Sequence, residues 1–173
     1  MRRIAQPWWL ALIALLALPV GVRAWHHFHR PHMLHAGDSL TPLRLSALPG
    51  GTFVLRPGGR PQLINVFATW CPPCRMETPQ FAAVAQRLQA HGVQVVGIDQ
   101  QEGAAAVRAF AHDFNVSYPL FIDTSGITQA VVGARIIPTT VFVGADGRIK
   151  WIHSGPMTGD ELIALVKESD RSV

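Results

Sequence analysis

Cysteine is scarce in this chain: two in 173 residues, Cys71 and Cys74. Two thiols cannot staple a small disulfide-rich domain. Nor can they complete a four-thiolate zinc or iron–sulfur centre within one chain. What is left is a redox pair, part of a metal site, or two inert thiols. Charged side chains are also few, at 15%, while 49% of residues are hydrophobic, which excludes disorder along the whole chain. Acids are missing from the first 37 residues, which hold Arg2, Arg3, Arg23 and Arg30. From residue 38 onward acids and bases are equal in number, so the net charge of +4 belongs to the amino-terminal tail. The body has no cationic surplus to neutralise phosphates, and no nucleic-acid partner is expected. There is no internal repeat, and the length suits one domain of ordinary size.

The tail reads as membrane topology. Residues 4–22 carry no charge, and as a helix they would span ~28 Å, just enough for a hydrocarbon core of ~30 Å. Pro7 can open such a helix, and Trp8 and Trp9 suit the headgroup boundary. Arg2 and Arg3 would stay cytoplasmic, placing the rest of the chain outside. An uncleaved anchor over residues 1–24 is the reading adopted. A signal peptide cut after Ala24 is its competitor. Both export the domain to an oxidising compartment. A tether follows over residues 25–37, with five of the eight histidines: His26, His27, His29, His32 and His35. Clustered imidazoles can bind copper, zinc or nickel. Nothing preorganises them, and a solvated spacer is expected.

Residues 38–173 read as one domain. Leu43-Arg44-Leu45 and Thr52-Phe53-Val54-Leu55 flank Pro49-Gly50-Gly51, a hairpin pattern. The apolar run Leu63-Ile64-Asn65-Val66-Phe67 suits a central buried strand. Phe81, Val84, Ala85 and Leu88 form a helix face, with Pro79 expected to kink that helix. A strand over residues 93–98, a helix around Val107, Phe110, Ala111 and Phe114, a short strand at 120–122 and a short helix near 126–133 follow. Gly144-Ala145-Asp146-Gly147 predicts a second hairpin. Thr158-Gly159-Asp160-Glu161 is a capping box ahead of a last helix. This order predicts an α/β fold, a mixed sheet flanked by helices.

Trp70-Cys71-Pro72-Pro73-Cys74-Arg75 follows the strand and opens the helix. At a helix amino terminus, free N–H groups and the positive dipole end favour a thiolate on Cys71, the attacking species in disulfide exchange. Pro72 is tolerated in the first turn. Cys74, three positions on, lies within disulfide reach and is expected to be the more buried. Haem attachment would need histidine where Arg75 stands. A zinc site lacks two further ligands at suitable spacing. A purely structural bridge closes too short a loop for much stabilisation.

Residues 67–79, from Phe67 through the two cysteines and Glu77 to Pro79, resemble the active-site signature of membrane-anchored, thioredoxin-like thiol–disulfide oxidoreductases of the TlpA/ResA type. The likeness spans about residues 38–168. It includes Ile137-Pro138-Thr139-Thr140, similar to that family's cis-proline loop, and a helical insert near residues 103–115. The resemblance implies a thioredoxin-like fold with an amino-terminal β-hairpin. It implies Cys71 and Cys74 as the redox pair and a cis bond before Pro138. It also implies a glutamate at position 77 that moves protons to or from the cysteines. Asn65 stands where thioredoxin has a buried aspartate and cannot take a proton. The competing reading of Glu77 is a surface helix residue beside Arg75. Trp70 either packs beside the thiols or forms a hydrophobic rim, with Pro72, Pro73, Ile137 and Pro138 lining the active-site loop. The peroxidase pattern Pro-x-x-x-Thr-x-x-Cys is absent, its positions being held by Ile64 and Ala68.

The activity expected is protein-disulfide reduction at the periplasmic face of a bacterial inner membrane, with no cofactor beyond the cysteine pair and no metal. The clients implied by the resemblance are an apocytochrome c or a copper-site protein, and the donor an upstream membrane dithiol carrier. The competing reading is a periplasmic copper-delivery factor using Cys71, Cys74 and the tether. An inactive scaffold is a third.

Overall fold

The computed structural model describes residues 34–48, 50–132 and 136–169. The expected anchor over residues 1–24 and most of the tether lie outside them. Among the described residues, no helix is long and apolar enough to cross a membrane.

Among the described residues, seven strands form one sheet: β1 Leu43–Ala47, β2 Thr52–Leu55, β3 Gln62–Phe67, β4 Gln94–Gln100, β5 Leu120–Asp123, β6 Thr139–Val143 and β7 Ile149–Ser154. The helices are α1 Pro72–Ala90, α2 Ala104–Asp113, α3 Ile127–Val132 and α4 Gly159–Ser169. Strand order is β2-β1-β5-β4-β3-β6-β7. Strands β3, β4 and β5 run parallel, while β1–β2, β1–β5, β3–β6 and β6–β7 are antiparallel. Both expected hairpins and the mixed sheet are present, and the fold is thioredoxin-like.

Every residue of β3 is buried, because both sheet faces are covered. Side chains alternate between two cores. Leu63 and Phe67 meet Phe81, Ala85 and Leu88 of α1, whereas Ile64 and Val66 pack with Val96, Ile98, Val141 and Val143 on the other face. Asn65, between them in the alternation, therefore faces α1. Pro79 lies inside α1 but does not end it, the helix running on to Ala90. The capping box forms as expected: Thr158 N–H and Oγ1 both donate to Glu161 Oε2 at 2.8 Å, and Glu161 N–H donates to Thr158 Oγ1 at 3.3 Å.

Gly97 in β4 is a place where only hydrogen fits. A methyl there would run into Leu120 Cδ2 and come within 3.1 Å of Phe67 Cε1 and 3.2 Å of Tyr118 Cε2. Gly97→Ala is expected to lower unfolding free energy by about 1–3 kcal/mol through overpacking, measured by urea denaturation.

Candidate active site

The site forms where the parallel strands end and chain direction changes. Strand β3 stops at Phe67, and Cys71 becomes the N-cap of α1 with extended backbone angles (φ −79°, ψ 113°). Pro72 and Pro73 fill the first two helical positions and have no N–H to offer. The first backbone donor available to the cap is therefore Cys74 N–H, which lies 3.3 Å from Cys71 Sγ. Two prolines thus aim the helix terminus at one sulfur through one amide.

Cys71 and Cys74 are joined in a disulfide, with Cα atoms 5.3 Å apart. Cys74 is fully buried, and Cys71 is only 3% exposed. The expected order of burial holds by a small margin: the outer sulfur is itself nearly covered. The Ile137–Pro138 bond is cis. The Ile137 carbonyl oxygen lies 3.8 Å from Cys71 Sγ. That contact can become an S–H···O hydrogen bond only in the reduced protein. Antiparallel pairing of β6 with β3 brings the loop there, with Thr139 opposite Val66. Trp70 is 67% exposed, which fits the rim and not packing against the thiols. Ile136 and Met76 are exposed as well.

Glu77 is buried at 3% exposure, so it is not a surface partner of Arg75. Helix α1 places it one turn beyond Cys74, and its carboxyl points at the sheet. Asn65 Nδ2 donates to Glu77 Oε1 at 2.8 Å and to Thr140 Oγ1 at 3.2 Å. Met157 N–H donates to Glu77 Oε2 at 3.1 Å. Burial raises the carboxyl's pKa to about 7, against the two hydrogen bonds that pull it down. Asn65 cannot hold the proton, but it orients the acid that can.

An acidic pair, Asp99 and Glu102, also lies beside this loop, and it is not among the site residues expected from the sequence. Asp99, at the end of β4, is wholly buried and pairs in register with Phe67. Its Oδ1 accepts from Glu102 N–H at 2.9 Å. Its buried Oδ2 meets no hydrogen-bond partner. Burial, with Glu102 beside it, pushes Asp99 up to about 8. Burial opposes the charge on Glu102 as well, but hydrogen bonds from Asp99 and Thr69 hold that carboxyl below its ordinary range. The available signal is an acid directly after the apolar stretch Val95-Val96-Gly97-Ile98. Arg75 donates to the Thr69 carbonyl at 3.1 Å, and its guanidinium lies 4.9 Å from the Phe114 ring centroid.

Among the described residues, no group of three or more His, Cys, Asp or Glu side chains is placed to hold a metal ion. The tether's first four histidines lie outside those residues. His35 pairs with Asp38 at the surface.

Three kinds of comparison bear on the site. A family model described as Redoxin matches residues 35–167. The thioredoxin-like protein YneN of Bacillus subtilis is 32% identical over 162 residues, 89% of this chain and 94% of that protein. The thiol-disulfide oxidoreductase ResA of Halalkalibacterium halodurans is 27% identical over 163 residues, covering 91% and 93% of the two chains. A solved structure from Chlorobium tepidum, described as a putative thiol:disulfide interchange protein DsbE, superposes with a TM-score of 0.71. It is 22% identical, with 79% of this chain and 98% of that one covered, and it supports the fold alone.

Proposed function

We propose, from the premise that this chain belongs to the Redoxin family and is a thiol–disulfide oxidoreductase, that it works as a reductase with Cys71 as nucleophile, Cys74 as resolving thiol and Glu77 as proton carrier. The observation that carries this reading is the Cys71 sulfur at the N-cap of α1, 3.3 Å from the Cys74 amide. An N–H donor and the helix dipole favour negative charge on that sulfur once the disulfide is opened.

In the reduced protein, Cys71 thiolate attacks one sulfur of a client disulfide. A mixed disulfide forms, and the client's other sulfur leaves as a thiolate that takes a proton. Cys74 then gives up its proton and attacks Cys71 Sγ, breaking the mixed disulfide. Two electrons pass to the client, and Cys71–Cys74 is left oxidised. Glu77, half ionised near neutrality, accepts the Cys74 proton as that attack develops and returns one when the pair is reduced again. Pro72 and Pro73 keep other amides away from the sulfur. Ile137 and Pro138 present a backbone edge to an extended client segment, and Trp70 gives it an apolar rim.

The family likeness supports protein disulfides as substrates. An apocytochrome c or a copper-site protein is the client class it favours, with a membrane dithiol carrier as donor. Anchoring through residues 1–24, with the domain on the periplasmic side, supplies the oxidising compartment in which such a reductase is needed. Mixing equimolar reduced protein with insulin and counting free thiols tests the reading. Loss of both protein thiols matched by gain of client thiols is expected. Unchanged insulin disulfides, with both protein thiols retained, would refute it.

A further inference from the structure

Thr69 stands two residues before Cys71, and each of its polar groups is held. Its N–H and hydroxyl both donate to Glu102, the hydroxyl to Oε1 at 2.6 Å, and its carbonyl accepts from Arg75. Glu102 is in turn fixed by its own N–H on Asp99 Oδ1. The backbone turns sharply into it, with Gln101 at φ 65°, and Gly103 directly after it caps α2. Arg75 is fixed from the same helix, over the rings of Phe110 and Phe114. The segment leading to the attacking cysteine is therefore clamped by the strand end and by the helical insert together. Two charge-assisted hydrogen bonds to one carboxylate are strong enough to set backbone position.

We propose that Glu102 is a positioning residue for disulfide exchange: its carboxylate grips Thr69 and so holds Cys71 at the helix N-cap, with its sulfur on the Cys74 amide and facing Ile137. This rests on Cys71 being the nucleophile. Glu102 touches neither sulfur and acts through the segment 69–71. The doubly accepting arrangement needs a carboxylate, because an amide at this position would offer one acceptor oxygen and turn N–H groups toward Thr69 or Asp99.

The test uses five reduced proteins: wild type, Glu102→Gln, Thr69→Val, the double variant, and Thr69→Ser as the conservative control. The probe is iodoacetamide at neutral pH, with the labelled cysteine located by mass spectrometry. Insulin reduction is measured in parallel, and urea unfolding checks that each variant folds. Glu102→Gln is expected to slow both Cys71 alkylation and insulin reduction about tenfold, the scale of one charge-assisted hydrogen bond. Thr69→Val, which removes one of the two bonds, is expected to lose less. Thr69→Ser should match wild type, and the double variant should be no slower than Glu102→Gln alone. A purely structural role would lower stability and leave Cys71 alkylation in the folded protein untouched. Wild-type alkylation rates in Glu102→Gln, or losses that multiply in the double variant, would overturn the proposal. Should Glu102→Gln fail to fold, Thr69→Val decides it: a Cys71 alkylation rate unchanged from wild type overturns it. A wild type that alkylates at Cys71 yet leaves insulin intact would instead count against the reductase reading, not against the clamp.

Discussion

Cys71→Ser is expected to abolish reduction of a protein disulfide, by roughly 10³-fold or more, the scale on which losing a nucleophile acts. A serine hydroxyl at the same N-cap stays protonated at neutral pH, so the attacking anion is gone although the cap hydrogen bond survives. Cys74→Ser is expected to fail differently. Cys71 can still attack, but no second thiolate follows, and the client remains bound through one mixed disulfide. On a non-reducing gel this gives a covalent adduct of one protein and one client, released by dithiothreitol. The asymmetry follows from position: Cys71 caps the helix and borders the Ile137 loop, while Cys74 is sealed beneath it. Adducts from Cys71→Ser instead of Cys74→Ser would reverse the two roles. Turnover surviving in both variants would end the assignment. The trapped adduct also identifies the client, if Cys74→Ser is expressed in the native cell.

Glu77→Gln is expected to separate proton transfer from folding. Glutamine keeps the shape but has one acceptor oxygen, so it keeps the hydrogen bond from Asn65 or the one from Met157, not both, and it cannot take a proton. Resolution of the mixed disulfide at neutral pH is expected to slow on the order of 100-fold, the low end for loss of a general base. The pH dependence centred near Glu77's raised value of about 7 is expected to disappear with it. Stability should move the other way. Below 4.5, the ordinary value, the carboxyl is protonated in both folded and unfolded chains. As pH rises through about 7, the folded chain must ionise an acid that burial holds neutral. The relative stabilisation present below 4.5 is thus lost across that window, by about 3 kcal/mol in all. Glu77→Gln escapes this loss, so its stability relative to wild type is expected to rise over the same window, measured by urea unfolding at each pH. A flat difference from pH 4 to 8 would show that Glu77 ionises freely and would remove it from the proton path.

Much of the architecture was legible because it is local. A continuous apolar run marked β3, turn residues marked the two hairpins, apolar spacing marked α1 and α2, and Thr158 with Glu161 marked the start of α4. The cysteine pair was legible for the same reason: strand, two thiols three apart and an opening helix are contiguous in the chain. Pro138 was legible only through likeness to a family, since one proline in a loop says nothing about what it faces.

The acids behaved otherwise. Glu77 was singled out only through likeness to a family; its burial comes from Asn65, 12 residues earlier, and Met157, 80 residues later, which close over it. Glu102 was silent because Thr69 lies 33 positions away. Burial of a carboxyl, and the proton affinity that burial creates, depend on which distant segments exclude water around it, and no window of sequence contains them. The chain's order of residues therefore specifies where the sulfur chemistry sits. Packing of β3 between β4 and β6 specifies which carboxyls keep their protons beside it, because desolvation is a property of the assembled surroundings and not of the residue.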